Sequence, residues 1–215
     1  MLLYSYWHSS AAYRVRIALN LKGIDHEIVP VSLLGQSPQH RADAYKDLNP
    51  QMLVPFLQDG AVNIGQSQAI LEYLEETYRD VPLLPQRPEL RAAVRSFCNS
   101  ICCDIHPLNN LRVVTYLTEQ LEVSDQQRSD WYAHWIHEGF GPAEISASRN
   151  SVDGRFVFGD QPTFADLCLV PQMYNAKRFR VPLEQYPTLT GITAFCNKLD
   201  AFQAASPLAQ PDAKT

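Results

Sequence analysis

The run Ser9-Ser10-Ala11-Ala12-Tyr13-Arg14-Val15-Arg16-Ile17-Ala18-Leu19 constrains the fold more than any other stretch of this chain. It follows a short apolar segment, Leu2 to Tyr6, that reads as a strand, and it opens a helix. At such a junction the first N–H groups of the helix have no partner within it, and the dipole favours negative charge. A pair of hydroxyls placed there suits an anion, and a thiolate is an anion. Arg14 and Arg16 stand in the first turns, where cations oppose the dipole, so they are expected to answer a carboxylate nearby.

The following elements complete an α/β unit. Tyr13 to Lys22 reads as a helix stopped by Gly23, which occupies the place of a left-handed cap. Glu27 to Val31 is β-rich, and a polar loop runs from Gly35 to His40. Val54 to Leu57 and Val62 to Ile64 flank Asp59-Gly60, a hairpin signal. Gln66 to Tyr78 places Ile70, Leu71, Leu74 and Tyr78 on one helical face. The order is β-α-β, a crossover, then β-β-α. Pro82, Pro85 and Pro88 give residues 79–88 the composition of a linker. Everything afterwards reads as helix: Arg91 to Ile105, ending against Pro107; Leu111 to Leu121; a helix capped by Ser124; one opened by the Thr163/Asp166 capping box; and Thr188 to Ala201. Trp131, Tyr132, Trp135 and Phe140 read as helical core. The expected domains are 1–81, α/β, and 88–215, all-helical.

Composition narrows the function classes. A chain of 215 residues, 46% of them hydrophobic, can bury one large core or two small ones. Its net charge of −5, with 18 basic residues scattered apart from Lys177-Arg178-Phe179-Arg180, argues against a nucleic-acid partner. No stretch approaches the length of a membrane span, and the N-terminal residues do not read as a secretory signal, so a cytoplasmic protein is expected. Five cysteines, with no Cys-x-x-Cys pair, argue against a disulfide framework or a redox dithiol. Cys98, Cys102 and Cys103 lie within helical reach of one another beside Asp104 and His106; small core residues are preferred there over a metal site.

The opening run resembles the Ser-Ser-Cys-x-x-Arg-Val-Arg-Ile-Ala-Leu signature of the zeta class of cytosolic glutathione transferases, the maleylacetoacetate isomerase family. It departs from the signature only at Ala11, where the family carries cysteine. The resemblance continues through Leu48-Asn49-Pro50, Val54-Pro55, Gln66-Ser67, Glu72 to Glu76, Asp166 to Gln172, Arg178-Phe179, Tyr186-Pro187-Thr188 and Gln210-Pro211-Asp212. The stretch Cys103 to Asn110 looks like the bacterial maleylpyruvate isomerase branch. The family fold would be an α/β thioredoxin-like N-terminal domain followed by an all-α C-terminal domain, with glutathione as cofactor and assembly as a homodimer.

Residue by residue, the resemblance implies the following. Ser9, with Ser10 able to share its role, would hold a thiolate; lowering a free thiol's pKa of about 8.5 by about two units takes roughly 2.7 kcal/mol. Val54, before a cis Pro55, would turn its backbone groups outward to pair with an extended peptide. Gln66 and Ser67, at a helix start, would hold the γ-glutamyl carboxylate, and His40 and Gln51 the glycine end. His106 and Asn110, flanking Pro107, would overhang the thiol. Arg112 and Arg178 would clamp the substrate's carboxylates by paired hydrogen bonds, and His8 would lie near the thiol and contact substrate. Ser9, Ser10, His106 and Arg178 would thus carry catalysis.

The implied reaction is reversible addition of glutathione thiolate to the conjugated cis double bond of a maleyl diketo acid, rotation about the resulting single bond, and expulsion of the thiolate. The substrate would be maleylacetoacetate or, given Ala11, maleylpyruvate, in the breakdown of tyrosine or other aromatic compounds. A general glutathione transferase or peroxidase would have no need of the cations Arg112 and Arg178. A non-catalytic interaction module would not need Ser9, Val54-Pro55 and Gln66-Ser67.

Overall fold

A computed structural model describes residues 1–213 and divides the chain into two compact units. The first comprises Met1–Leu83 together with the chain from Lys198 onward; the second is Leu84–Asn197. The break after Leu83 falls inside the proline-marked linker. The return of the last segment to the first unit departs from the expected all-helical 88–215.

In the first unit, β1 (Leu2–Ser5), α1 (Ser10–Leu21) and β2 (Glu27–Pro30) form a βαβ crossover, so β1 and β2 pair in parallel. A short helix, α2 (Asp43–Leu48), leads to the hairpin β3 (Phe56–Asp59) and β4 (Val62–Gly65), and α3 (Ser67–Thr77) follows. The sheet order is β2-β1-β3-β4, with β3 antiparallel to both neighbours. Leu3 pairs with Ile28 on one side and Leu57 on the other. Leu3 and Leu57 join Val15, Ile17, Leu19, Ile70, Leu71 and Leu74 in a fully buried core. Gly23 ends α1 as expected: at φ 63° it lets its own N–H reach Asn20 O and that of Ile24 reach Leu19 O, satisfying carbonyls the helix leaves open.

The expected helix Thr188 to Ala201 is two helices, α8 (Pro187–Cys196) in the second unit and α9 (Asp200–Ala205) in the first. The reason lies on α1, whose polar side chains take the carbonyls of α9. Tyr13 Oη donates to Phe202 O at 3.4 Å, Arg16 Nε to Ala205 O at 2.9 Å, and Asn20 Nδ2 to Ala201 O at 3.0 Å. Beyond α9, Asp212 accepts from Trp7 N at 3.0 Å.

The second unit holds α4 (Pro88–Asn99), α5 (Leu111–Glu119), α6 (Asp125–Asn150), α7 (Phe164–Arg178) and α8. Helix α7 is apolar on nearly every face and buried from Phe164 to Met173, as a central helix must be. Both expected caps form: Ser124 exchanges hydrogen bonds with Gln127, and Thr163 with Asp166. The expected helix Arg91 to Ile105 changes character at Ser100. Its last turn widens to π geometry over Ser100–Ile105, and His106 N donates to Ile101 O at 2.9 Å. Helix α6 packs so closely on this turn that a Cβ at Gly139 would lie 2.2 Å from Ile105 Cδ1.

Candidate active site

In the first unit Ser9 and Ser10 stand where β1 leads into α1, and Gln66 and Ser67 where β4 leads into α3, while Gln51 and Val54 precede β3 and His40 lies in a separate turn. Ser9 is the N-cap of α1, and its Oγ accepts from Ala12 N at 3.2 Å. That bond uses a lone pair of the oxygen and leaves the hydroxyl proton available to an incoming anion, polarised by the bond it accepts. Capping and anion binding therefore coexist in one side chain. Ser10 is buried, whereas Ser9 is half-buried. His8 is half-buried and stacks on Trp7, with ring centroids 3.4 Å apart.

The Val54-Pro55 peptide is cis, as the resemblance implies, and Val54 is buried. The segment before it is pinned by Tyr45, which the sequence reading did not single out, and by Asn49, which it quoted only as part of the resemblance and gave no role. Tyr45 Oη and Asn49 Nδ2 both donate to Leu53 O, at 2.7 and 2.8 Å, while Asn49 Oδ1 accepts from Gln51 N at 3.2 Å. Burial pushes the Tyr45 hydroxyl up to about 12, so it remains a donor. The pattern that signals them is a Tyr on α2 and, four residues on, an Asn at the C-cap of that helix, which the polar character of the preceding loop obscured.

Gln66 precedes α3 with φ 68°, a sparsely populated region for a side-chain-bearing residue. Its Nε2 donates to Gln51 Oε1 at 2.7 Å, so two candidates for opposite ends of the tripeptide meet. Helix α3 has no side-chain cap and no acidic residue in its first turn, which leaves its first N–H groups for an external acceptor. Ser67 opens it, buried, and its Oγ accepts from Arg14 Nη1 at 3.2 Å. His40 lies in the 3₁₀ turn Gln39–Arg41, and both its backbone N and its Nδ1 lie 3.3 Å from Ser32 O. None of its described hydrogen bonds involves Gln51 or another candidate.

In the second unit His106 closes the π turn and is half-buried. Asn110 is the N-cap of α5, its Oδ1 accepting from Arg112 N at 3.1 Å. The stretch between them is tied to α6, because Trp131 Nε1 donates to Leu108 O at 3.0 Å and Asn109 Nδ2 to Tyr132 O at 3.1 Å. The aromatic run read as core thus splits: Tyr132 and Phe140 are buried, while Trp131 and Trp135 are half-buried. Arg112 is exposed on the first turn of α5, and Arg178 is exposed at the last residue of α7. The Arg178 guanidinium lies 5.1 Å from the Phe179 ring, which stacks on Tyr132 at 3.8 Å.

The cysteines divide. Cys98, Cys168 and Cys196 are buried, Cys102 is half-buried with its Sγ 3.6 Å from that of Cys168, and Cys103 is exposed rather than a core residue. Among the described residues no group of three His, Cys, Asp or Glu side chains could hold a metal ion.

This arrangement fits glutathione in three respects: a hydroxyl donor at the start of α1, open N–H groups at the start of α3, and an incompletely paired buried cation, Arg14, behind them. Comparison with known proteins agrees. Residues 3–82 match the glutathione S-transferase N-terminal domain family. A probable maleylacetoacetate isomerase of Vibrio cholerae is 45% identical over 214 residues, covering 99% of this chain and 98% of its own. The holo structure of a maleylpyruvate isomerase, a bacterial zeta-class glutathione S-transferase, is 44% identical with a TM-score of 0.96, covering 100% of both chains. A maleylacetoacetate isomerase structure from Methylobacterium extorquens, with bound malonate and glutathione, is 39% identical with a TM-score of 0.94, again over 100% of both chains.

Proposed function

The chain belongs to the maleylacetoacetate isomerase family, the zeta class of the glutathione transferases, and we propose the site roles by which it converts a maleyl diketo acid to its fumaryl isomer. The observation that carries the assignment is the half-buried Ser9 hydroxyl at the N-terminus of α1, its oxygen engaged by Ala12 N and its proton free to turn outward. Glutathione, when bound, would supply the thiolate nucleophile for reversible addition to the conjugated double bond.

The chain's own residues do the rest. Ser9 donates a hydrogen bond to the sulfur, and the helix N-terminus adds a favourable dipole, so the ionised form is preferred. The first N–H groups of α3 and the Ser67 hydroxyl hold the γ-glutamyl carboxylate. Val54 offers main-chain groups to the peptide, and the Gln51–Gln66 pair lines its path. Arg112 and Arg178 bind the two carboxylates of the substrate, while His106 and Asn110 stabilise charge that develops on its carbonyl oxygen. His8 contacts the substrate. His40, beside Ser32 O, serves the glycine end of the tripeptide.

Family membership also supports assembly as a homodimer and a cytoplasmic location; among the described residues no helix is long and apolar enough to cross a membrane. The break after Leu83 supports a glutathione-binding domain that takes in the last segment as well. The test is a spectrophotometric isomerase assay with maleylacetoacetate and maleylpyruvate, each with and without glutathione. Turnover that requires glutathione is expected with at least one of them. Turnover of neither, or equal turnover without the tripeptide, defeats the proposal.

A further inference from the structure

Arg14 and Arg16 sit two residues apart on α1, both with about 1% exposure, yet their surroundings differ. The Arg16 guanidinium donates to Ala205 O, Ser5 Oγ, Tyr6 O and Trp7 O. Arg14 has one partner, Ser67 Oγ at 3.2 Å, and its Nε and Nη2 have none among the described residues. No ion pair to Arg14 occurs among those residues either. A guanidinium carries five N–H donors and stays charged, and burying such a cation without a counter-charge is costly. The carboxylate that α1's cations were expected to answer is, for Arg14, absent from the described protein.

We infer that Arg14 is a positioning residue for a carboxylate of glutathione, acting through Ser67 from behind the first turn of α3. This inference rests on the glutathione reading above. When Arg14 donates to Ser67 Oγ, the serine proton is directed elsewhere, and the hydroxyl becomes a donor for an acceptor at the helix start. The same bond, made by a cation, strengthens that donor. The buried charge adds a positive potential where the first N–H groups of α3 already favour an anion. Gln66, held at φ 68° and bonded to Gln51, fixes the entry of the chain into that turn. Arg14 thereby selects for a tripeptide bearing the α-carboxylate of its γ-glutamyl residue.

Calorimetric titration tests this with glutathione and two peptides without the α-carboxylate: γ-aminobutyryl-cysteinyl-glycine, which lacks only that carboxylate and keeps the amino group, and the α-amide of glutathione, which replaces the carboxylate by a neutral group of the same shape. Arg14→Gln should weaken glutathione binding about tenfold to a hundredfold, the range for one hydrogen bond to a charged group, and leave the carboxylate-free peptides within about twofold. Arg14→Lys should restore most of the difference. Equal weakening of all peptides, or of none, overturns the inference. Should Arg14→Gln fail to fold, the native protein still decides: with ¹⁵N-labelled arginine, the Arg14 Nε–H resonance should shift on adding glutathione and not on adding the carboxylate-free peptides. An unmoved resonance in saturating glutathione overturns the inference. A native protein that binds none of the peptides instead defeats the glutathione reading on which it rests.

Discussion

The two units hold their cations in opposite ways. In the first, Arg14 and Arg16 are buried, and the Lys22 side chain, 1% exposed, is bonded to Glu75 at 2.9 Å and to the carbonyls of Tyr78 and Val81. In the second, the candidate substrate clamps Arg112 and Arg178 stand exposed at helix ends, one on the first turn of α5 and one on the last of α7. Buried charge is set in place when the chain folds, and Arg16 and Lys22 commit theirs to acceptors of the protein itself. Exposed guanidinium groups can adjust to different diketo acids and contribute little to the fold. Damage to the paired cations of the first set, Arg16 and Lys22, should therefore appear as instability, and damage to the second set as lost turnover in an intact protein.

The largest break in that contrast should come from Glu75→Gln. Its carboxylate faces Lys22, also accepts from Leu83 N, and both side chains of the pair are at most 6% exposed. Removing one partner of a buried ion pair costs about 3–5 kcal/mol, readable as a lower urea midpoint. Next is a buried charge in the second unit. Burial pushes the Asp166 carboxyl up to about 7, against the pull of Thr163 and Val157 N–H donors. The folded chain then keeps a proton that the unfolded chain, titrating near its ordinary value of about 4, has released. This group's stabilisation is complete below about pH 4 and is lost as pH rises through about 7, by at most on the order of 4 kcal/mol. Thermal unfolding across that window should show the decline, and Asp166→Asn should flatten it.

Ser9→Ala should lower kcat/KM by up to about a hundredfold near neutral pH, as the bound thiol returns toward its free pKa, with only about 1 kcal/mol of stability lost from the cap. Ser9→Thr should recover part of the rate; an unchanged rate across neutral pH removes Ser9 from the mechanism. Arg178→Ala and Arg112→Ala sharpen the comparison. Each should reduce kcat/KM about tenfold or more while stability stays within about 0.5 kcal/mol. The smallest effect expected is that of Asn110→Ala, about 1 kcal/mol through the lost α5 cap.

Local chemistry was legible where one residue type does one job. Gly23 as a left-handed cap, the Thr163/Asp166 box and the Asp59-Gly60 hairpin all follow from backbone rules that act within a few residues. So did Ser9 as a cap, although the sequence could not say that one oxygen serves both cap and ligand. Features that depend on distant partners were hidden. The π turn before Pro107 answers to the close packing of Gly139 on Ile105, and the split between α8 and α9 answers to carbonyl acceptors for Tyr13, Arg16 and Asn20. Arg14 shows the limit most plainly. Its spacing predicts a cation on α1, but only the fold shows that its neighbour Arg16 is satisfied and that it is not.

The return of the chain from Lys198 onward to the first unit has a consequence for biosynthesis. The ribosome makes the sheet before the helices of the second unit, and only after both the segment that accepts the hydrogen bonds of α1. Until that segment emerges, Arg16 lacks its Ala205 acceptor and the apolar side of α1 lacks Phe202. The unit whose sheet is made before the second unit is thus completed after it, and a fragment ending at Leu83 would be a poor substitute for it.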